Sequence, residues 1–90
     1  MSIVVKQTDR DTFEVAVAGD TPTSHTVTAS EEYVEKLTLG HISATALVER
    51  SFEFLLEREP NTSILKRFDL PVIQEYFPEY EKAISESLGS

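Results

Sequence analysis

The sequence predicts a single α+β domain, with a small antiparallel sheet of three strands in its first third and helices in the rest. Three observations lead there. Apolar residues alternate with a period of two as far as residue 29 and recur at helical spacing beyond it. Ninety residues leave room for one hydrophobic core. A composition that is 40% apolar and 27% charged belongs to a chain that folds. The domain is thus expected to span 1–90, with strands over about 3–29 and helices over about 30–88.

The first strand is Ile3 to Gln7, rich in β-branched residues. A polar turn, Thr8-Asp9-Arg10-Asp11, leads to Phe13–Ala18, where Phe13, Val15 and Val17 fall on one face. After Gly19-Asp20-Thr21-Pro22, the segment His25–Ala29 forms a third strand with His25, Val27 and Ala29 on one face and Thr26 and Thr28 on the other. The short links favour an antiparallel meander.

Alternation stops at Thr28-Ala29-Ser30-Glu31, which fits a capping box, with Ser30 as an alternative cap. Glu31 and Glu32 suit the positive end of the helix dipole. Tyr33, Val34 and Leu37 supply the stripe of this short helix, and Gly40 ends it. Ser43 caps the longest helix, Ala44 to about Glu59, whose stripe is Ala44, Leu47, Val48, Ser51, Phe52 and Leu55. Pro60 stops it, and Asn61-Thr62-Ser63 turn the chain.

Ile64, Leu65 and Phe68 read as a helical turn. Asp69 reads as the cap of another helix with Pro71 in its first turn. Val72, Ile73, Tyr76 and Phe77 form its stripe, Pro78 interrupts, and Tyr80, Ala83, Ile84 and Leu88 continue to the end. The predicted core is Val5, Phe13, Val15, Val17, Val27, Leu37, Leu47, Val48, Phe52, Leu55, Leu65, Phe68, Ile73 and Phe77.

Composition narrows the chemistry. There is no cysteine, which removes disulfides, thiolate metal sites and thiol nucleophiles and fits a reducing compartment. No basic start and apolar run marks a signal peptide, and no apolar stretch could span a membrane, so a cytoplasmic location is expected. The net charge of −8 is spread through all three thirds of the chain. Such a chain repels a phosphate backbone unless a local basic face forms, so nucleic acid is not the expected partner. A domain this short buries little over ~60% of its unfolded surface, and homodimerisation would help it.

Neither histidine, His25 on a strand or His41 in a loop, has the spacing of a metal motif. Glu49, Glu53 and Glu57 recur at i+4 on one helix face, with Arg50 and Arg58 beside them, and read as a solvated row. The glycines are too far apart to cradle a phosphate. No catalytic, cofactor-binding or metal-binding residue, and no cofactor, is predicted. The densest segment runs from Phe68 to Glu81, with four aromatics interleaved with prolines and acids. Those aromatics either pack the tail onto the core or leave a patch, Tyr76, Phe77 and Tyr80, for a protein partner.

Two resemblances bear on function. Residues 25–58 carry His25-Thr26-Val27-Thr28-Ala29, then Ser30 to Leu37, Gly40-His41-Ile42-Ser43 and Ala46 to Phe52. This run resembles ribbon-helix-helix DNA-binding domains. That resemblance implies a strand paired across a dimer, with Thr26 and Thr28 facing bases and Ser43 at phosphate. Residues 47–81, from Leu47-Val48-Glu49-Arg50 through Ser63-Ile64-Leu65-Lys66-Arg67-Phe68 to Tyr76-Phe77-Pro78-Glu79-Tyr80-Glu81, are similar to a family of small uncharacterised bacterial proteins. It implies a bacterial cytosolic protein and carries over no activity. The expected function is therefore a non-catalytic interaction or regulatory protein, with a ribbon-helix-helix regulator as the alternative.

Overall fold

The computed structural model describes residues 2–89. Its elements follow as β1 (Ser2–Gln7), β2 (Thr12–Ala18), β3 (Thr23–Thr28), α1 (Glu31–Thr38), α2 (Ala44–Leu56), a 3-10 turn (Asn61–Ser63), β4 (Arg67–Asp69), α3 (Val72–Tyr76) and α4 (Tyr80–Gly89). The α+β class is as expected. The sheet has four strands, not three, in the order β1-β2-β3-β4. The first three form the antiparallel meander, and β4 joins β3 in parallel, Val27 opposite Phe68. A parallel neighbour needs a long crossover; here residues 29–66, with α1 and α2, provide it.

The segment Ile64–Phe68 is therefore not a helical turn. Ile64 is already extended, Phe68 lies in β4, and Asp69 belongs to that strand instead of capping a helix. Pro71 takes the N-cap position of α3 without a side-chain hydrogen bond. The long helix ends at Leu56, with Glu57 as its C-cap.

One sheet face meets the helices. Phe13, Val15, Val17, His25, Val27 and Phe68 point to it and are buried, as strand alternation requires. From the helical side come Leu47, Val48, Phe52, Phe54 and Leu55 of α2, Leu37 of α1, Ile73 of α3, and Tyr80 and Ile84 of α4. Fully burying one such large side chain contributes about 1.5–3 kcal/mol before entropy is counted. Val5 and Phe77, both expected in the core, are only partly buried at its margin. Leu65, also expected there, is exposed.

Ser30, not Thr28, caps α1: its Oγ accepts the Tyr33 N–H at 3.1 Å. The helix closes through Leu39, which takes the left-handed conformation ahead of Gly40. Ser43 caps α2 in the same way, its Oγ accepting the Ala46 N–H at 3.1 Å. Ser43→Ala is expected to lower stability by about 1 kcal/mol, and Ser43→Asp to retain it. Urea unfolding of the two variants checks this, and equal midpoints for Ser43→Ala and wild type would dismiss the cap.

α4 is tied back at three points. Tyr33 donates its hydroxyl to Glu81 Oε2 at 3.0 Å, and Lys36 stands 3.6 Å from the same carboxylate. Arg58 bonds Glu79 at 3.1 Å while lying 3.6 Å above the Phe54 ring. Gln74 spans the Pro78 break, donating to the Pro78 carbonyl and accepting the Glu81 N–H.

Candidate functional site

The break after α2 shapes an apolar depression in the surface. Pro60 cannot continue the helix, and Asn61 is buried directly behind it. Asn61 Nδ2 donates to the Thr21 carbonyl at 2.8 Å and to Thr23 Oγ1 at 3.0 Å, which pins the turn to the start of β3. Four residues on, the Leu65 carbonyl receives His25 Nδ1 at 2.8 Å. A carbonyl only accepts, so the His25 ring carries its hydrogen on Nδ1. Its Nε2, 2.8 Å from Thr23 Oγ1, then accepts the threonine hydroxyl. No buried side-chain nitrogen or oxygen among the described residues lacks a hydrogen-bond partner.

So held, residues 63–65, the end of α2, β4 and α3 surround a groove of about 210 Å3. Its walls include Leu55, Ile64, Phe68, Val72, Ile73 and Phe77. Leu65, 48% exposed, and Tyr76, 67% exposed, also line it. Glu59 is the one charged residue in the lining. The volume lies below the roughly 300–1,000 Å3 of typical small-molecule sites. It suits an inserted apolar side chain, with a carboxylate at hand for a basic neighbour.

The aromatic segment divides. Tyr76 and Phe77 line the groove, and Phe77 meets Phe54 edge-on at 6.0 Å. Tyr80, expected beside them in a partner-binding patch, is wholly buried, and its hydroxyl lies 2.6 Å from Ser51 Oγ. It offers no surface to a partner. Desolvation is the main cause that raises its pKa above the ordinary tyrosine range, and Glu81 adds to it. Tyr33 is raised too, first by burial and then by Tyr80 and Glu81.

The positions expected to read DNA are arranged otherwise. β3 is bonded to β2 on one side and β4 on the other, so it has no free edge with which to pair across a dimer. Thr26 donates to Glu14 Oε1 and Thr28 to Asp69 Oδ1, each at 2.9 Å. Their face mixes Lys6 and Arg67 with Glu14 and Asp69 and is not a basic surface for phosphate. Ser43 is spent on its cap. The ribbon-helix-helix arrangement is thus corrected by the intramolecular sheet.

His41 is exposed in the α1–α2 loop, and His25, 1% exposed, is enclosed by its hydrogen bonds and by Phe52, whose ring centroid is 5.3 Å away. Glu49, Glu53 and Glu57 are exposed along α2. No group of three or more histidine and acidic side chains that could hold a metal occurs among the described residues. No described helix is long and apolar enough to cross a membrane. Compared with known proteins, the chain matches no family model, no curated protein and no solved structure.

Leu65 and Glu59 were not singled out as site residues by the sequence. Leu65 is indistinguishable from a core leucine until its neighbour strand is known. Glu59 looks like one more acid in an acidic helix.

Proposed function

We propose that this domain is a cytosolic, non-catalytic interaction protein that receives an apolar side chain of a partner protein in the groove beside α3. The observation that carries this reading is the placement of exposed apolar residues. Among the described residues four large ones stand in water, and two of them, Leu65 and Tyr76, border the same apolar groove. Aromatic anchors in grooves supply much of the energy of protein recognition. Glu59 in the lining, on a chain of net charge −8, favours a basic segment over an acidic one. No catalytic residue, cofactor or metal enters this reading, and the cysteine-free composition goes with a reducing cytosol.

The test is an NMR titration with two short peptides of equal length, each with a central leucine or phenylalanine, one flanked by lysines and one by glutamates. Saturable shifts at Leu65, Ile73 and Tyr76 are expected with the basic peptide. Tyr76→Ala should weaken binding about tenfold or more, and Glu59→Lys should erase the preference for the basic peptide. Shifts confined to other surfaces, or none with either peptide, would reject the groove.

A further inference from the structure

We infer that His25 is an acid-sensitive clasp on the groove wall: a proton taken up at its Nε2 releases the segment from Asn61 to Leu65, and the groove loses its shape as pH falls. The clasp concerns the wall itself and holds whether or not a partner enters the groove.

The hydrogen bonds of the clasp run in one direction. At one end stands the Thr21 carbonyl, which only accepts, so Asn61 must turn its Nδ2 toward it. The same Nδ2 donates to Thr23 Oγ1 at 3.0 Å. At the other end stands the Leu65 carbonyl, which requires a hydrogen on His25 Nδ1. The Thr23 hydroxyl hydrogen then fills the 2.8 Å gap to Nε2. Because carbonyls fix both ends, the chain closes with the neutral ring that carries its hydrogen on Nδ1. A second proton would sit on Nε2 and point at the hydrogen of Thr23. To receive it, Thr23 must turn its own hydrogen out of the chain and take two donors, Asn61 and the ring, on one oxygen.

The charge that arrives with this proton has no counter-ion. His25 is 1% exposed, and the buried polar side chains besides it are Thr38, Ser51 and Asn61, all uncharged. From β2 it faces Val15, from α2 Phe52, and from β4 the same sheet face carries Phe68. The charged residues of these elements lie elsewhere. Glu14 takes the Thr26 hydroxyl on the opposite sheet face, and Arg67, Asp69, Glu49, Glu53 and Glu57 are exposed. Of the turn's neighbours, Lys66 is exposed and Glu59 is half-buried in the groove lining. No ion pair to His25 occurs among the described residues. Tyr33 and Tyr80, the other buried titratable groups, carry no charge below about pH 10. An unpaired charge is among the costliest groups to keep inside a fold.

The turn is the part that yields. β3 is bonded on both sides, whereas Asn61–Ser63 is one 3-10 turn without a side-chain cap. Its ties to the sheet include the Asn61 amide and the Leu65 carbonyl, the two ends of the clasp. Leu65 stands on the groove rim, and Ser63 and Ile64 line the wall. Histidine is the side chain whose ordinary titration falls between about pH 5 and 8. The clasp is therefore closed while the ring is neutral and opens as it gains its proton.

NMR of the 15N-labelled protein tests this from about pH 8 to about pH 5. Ring nitrogen shifts follow protonation of His25, and exchange rates corrected for the intrinsic effect of pH follow the Ser63, Ile64 and Thr26 amides, which bond to Pro60, Asn61 and Lys66. Protection at these amides is expected to fall at least about tenfold, with the same midpoint as the ring, while Val15 and Val17 stay protected. His25→Gln supplies a donor and an acceptor without a titrating group and should remove the response; His41→Gln should leave it intact. A ring that gains its proton with no loss of protection at the three amides overturns the clasp. So does a ring that stays neutral over this range, a simultaneous loss at Val15 and Val17, or an equal response in His25→Gln. Should His25→Gln fail to fold, coincidence of the two wild-type midpoints supports the clasp and their separation overturns it.

Discussion

Tyr80→Ala is expected to cost about 4 kcal/mol of unfolding free energy, the largest effect of any single truncation considered. Stability of a small domain is about 5–15 kcal/mol in total, so this variant sits near the limit of folding. Tyr80 is the largest wholly buried side chain, and it joins the first turn of α4 to the middle of α2. Its ring packs 5.3 Å from Phe54, and its hydroxyl donates to Ser51 Oγ, which donates in turn to the Leu47 carbonyl at 2.8 Å. Ser51 therefore serves as a polar socket inside the stripe of α2. Tyr80→Phe keeps the ring and leaves the Ser51 lone pair without a donor, for a smaller cost of about 1–2 kcal/mol. Urea unfolding ranks the three proteins; a Tyr80→Ala variant within about 1 kcal/mol of wild type would refute the assignment.

The same residue predicts an alkaline limit. An unfolded tyrosine ionises near pH ~10, whereas burial raises the pKa of Tyr80 in the fold. The stabilising contribution is complete below the unfolded value. It is lost progressively as pH rises above it, because the unfolded chain releases a proton that the folded chain retains. Tyr33 acts in the same direction. Tyr80→Phe should accordingly lose less stability between pH 9 and 11 than wild type, by roughly 1 kcal/mol or more.

His25→Ala is expected to cost about 3 kcal/mol, from a lost ring in the core and from orphaned partners. The ring lies against Phe52, and it alone satisfies the Leu65 carbonyl from the β3 side. His25→Phe separates the two parts. It restores the volume but offers no donor to Leu65 and no acceptor to Thr23, so about 2 kcal/mol should still be lost. Amide exchange over residues 61–67 should quicken in both variants, since Asn61, Thr23, His25 and Leu65 form one chain of hydrogen bonds. If His25→Phe were as stable as wild type, those bonds would be incidental. The consequence reaches the groove, because His25 fixes the carbonyl of the residue whose side chain stands on its rim.

Both effects were half visible in the sequence. Alternation already put His25 on the same strand face as Val27, which is the core face. Ser51 already lay in the apolar stripe of α2, and Tyr80 in that of α4. What each polar group would find there was not visible, because the partners lie 40 and 29 residues away. The same limit explains the strand that was missed. Arg67-Phe68-Asp69 shows one alternation, too short to register a period, and its strand character comes from pairing with Thr26–Thr28 across a long crossover.

Local chemistry therefore determined the meander, the switch to helix near Ser30, the Ser43 cap, and most of the apolar positions that fill the core. These depend on spacing and on contacts a few residues apart, which a sequence carries explicitly. The tertiary structure alone decided that β3 is an inner strand, that Tyr80 is core while Tyr76 is surface, and that Leu65 and Glu59 meet at one groove. It also decided that β1 has a strand neighbour on one side only. Each of these turns on which distant segments share a face, and burial in a chain of this size is settled by that neighbour relation and not by the residue's own polarity.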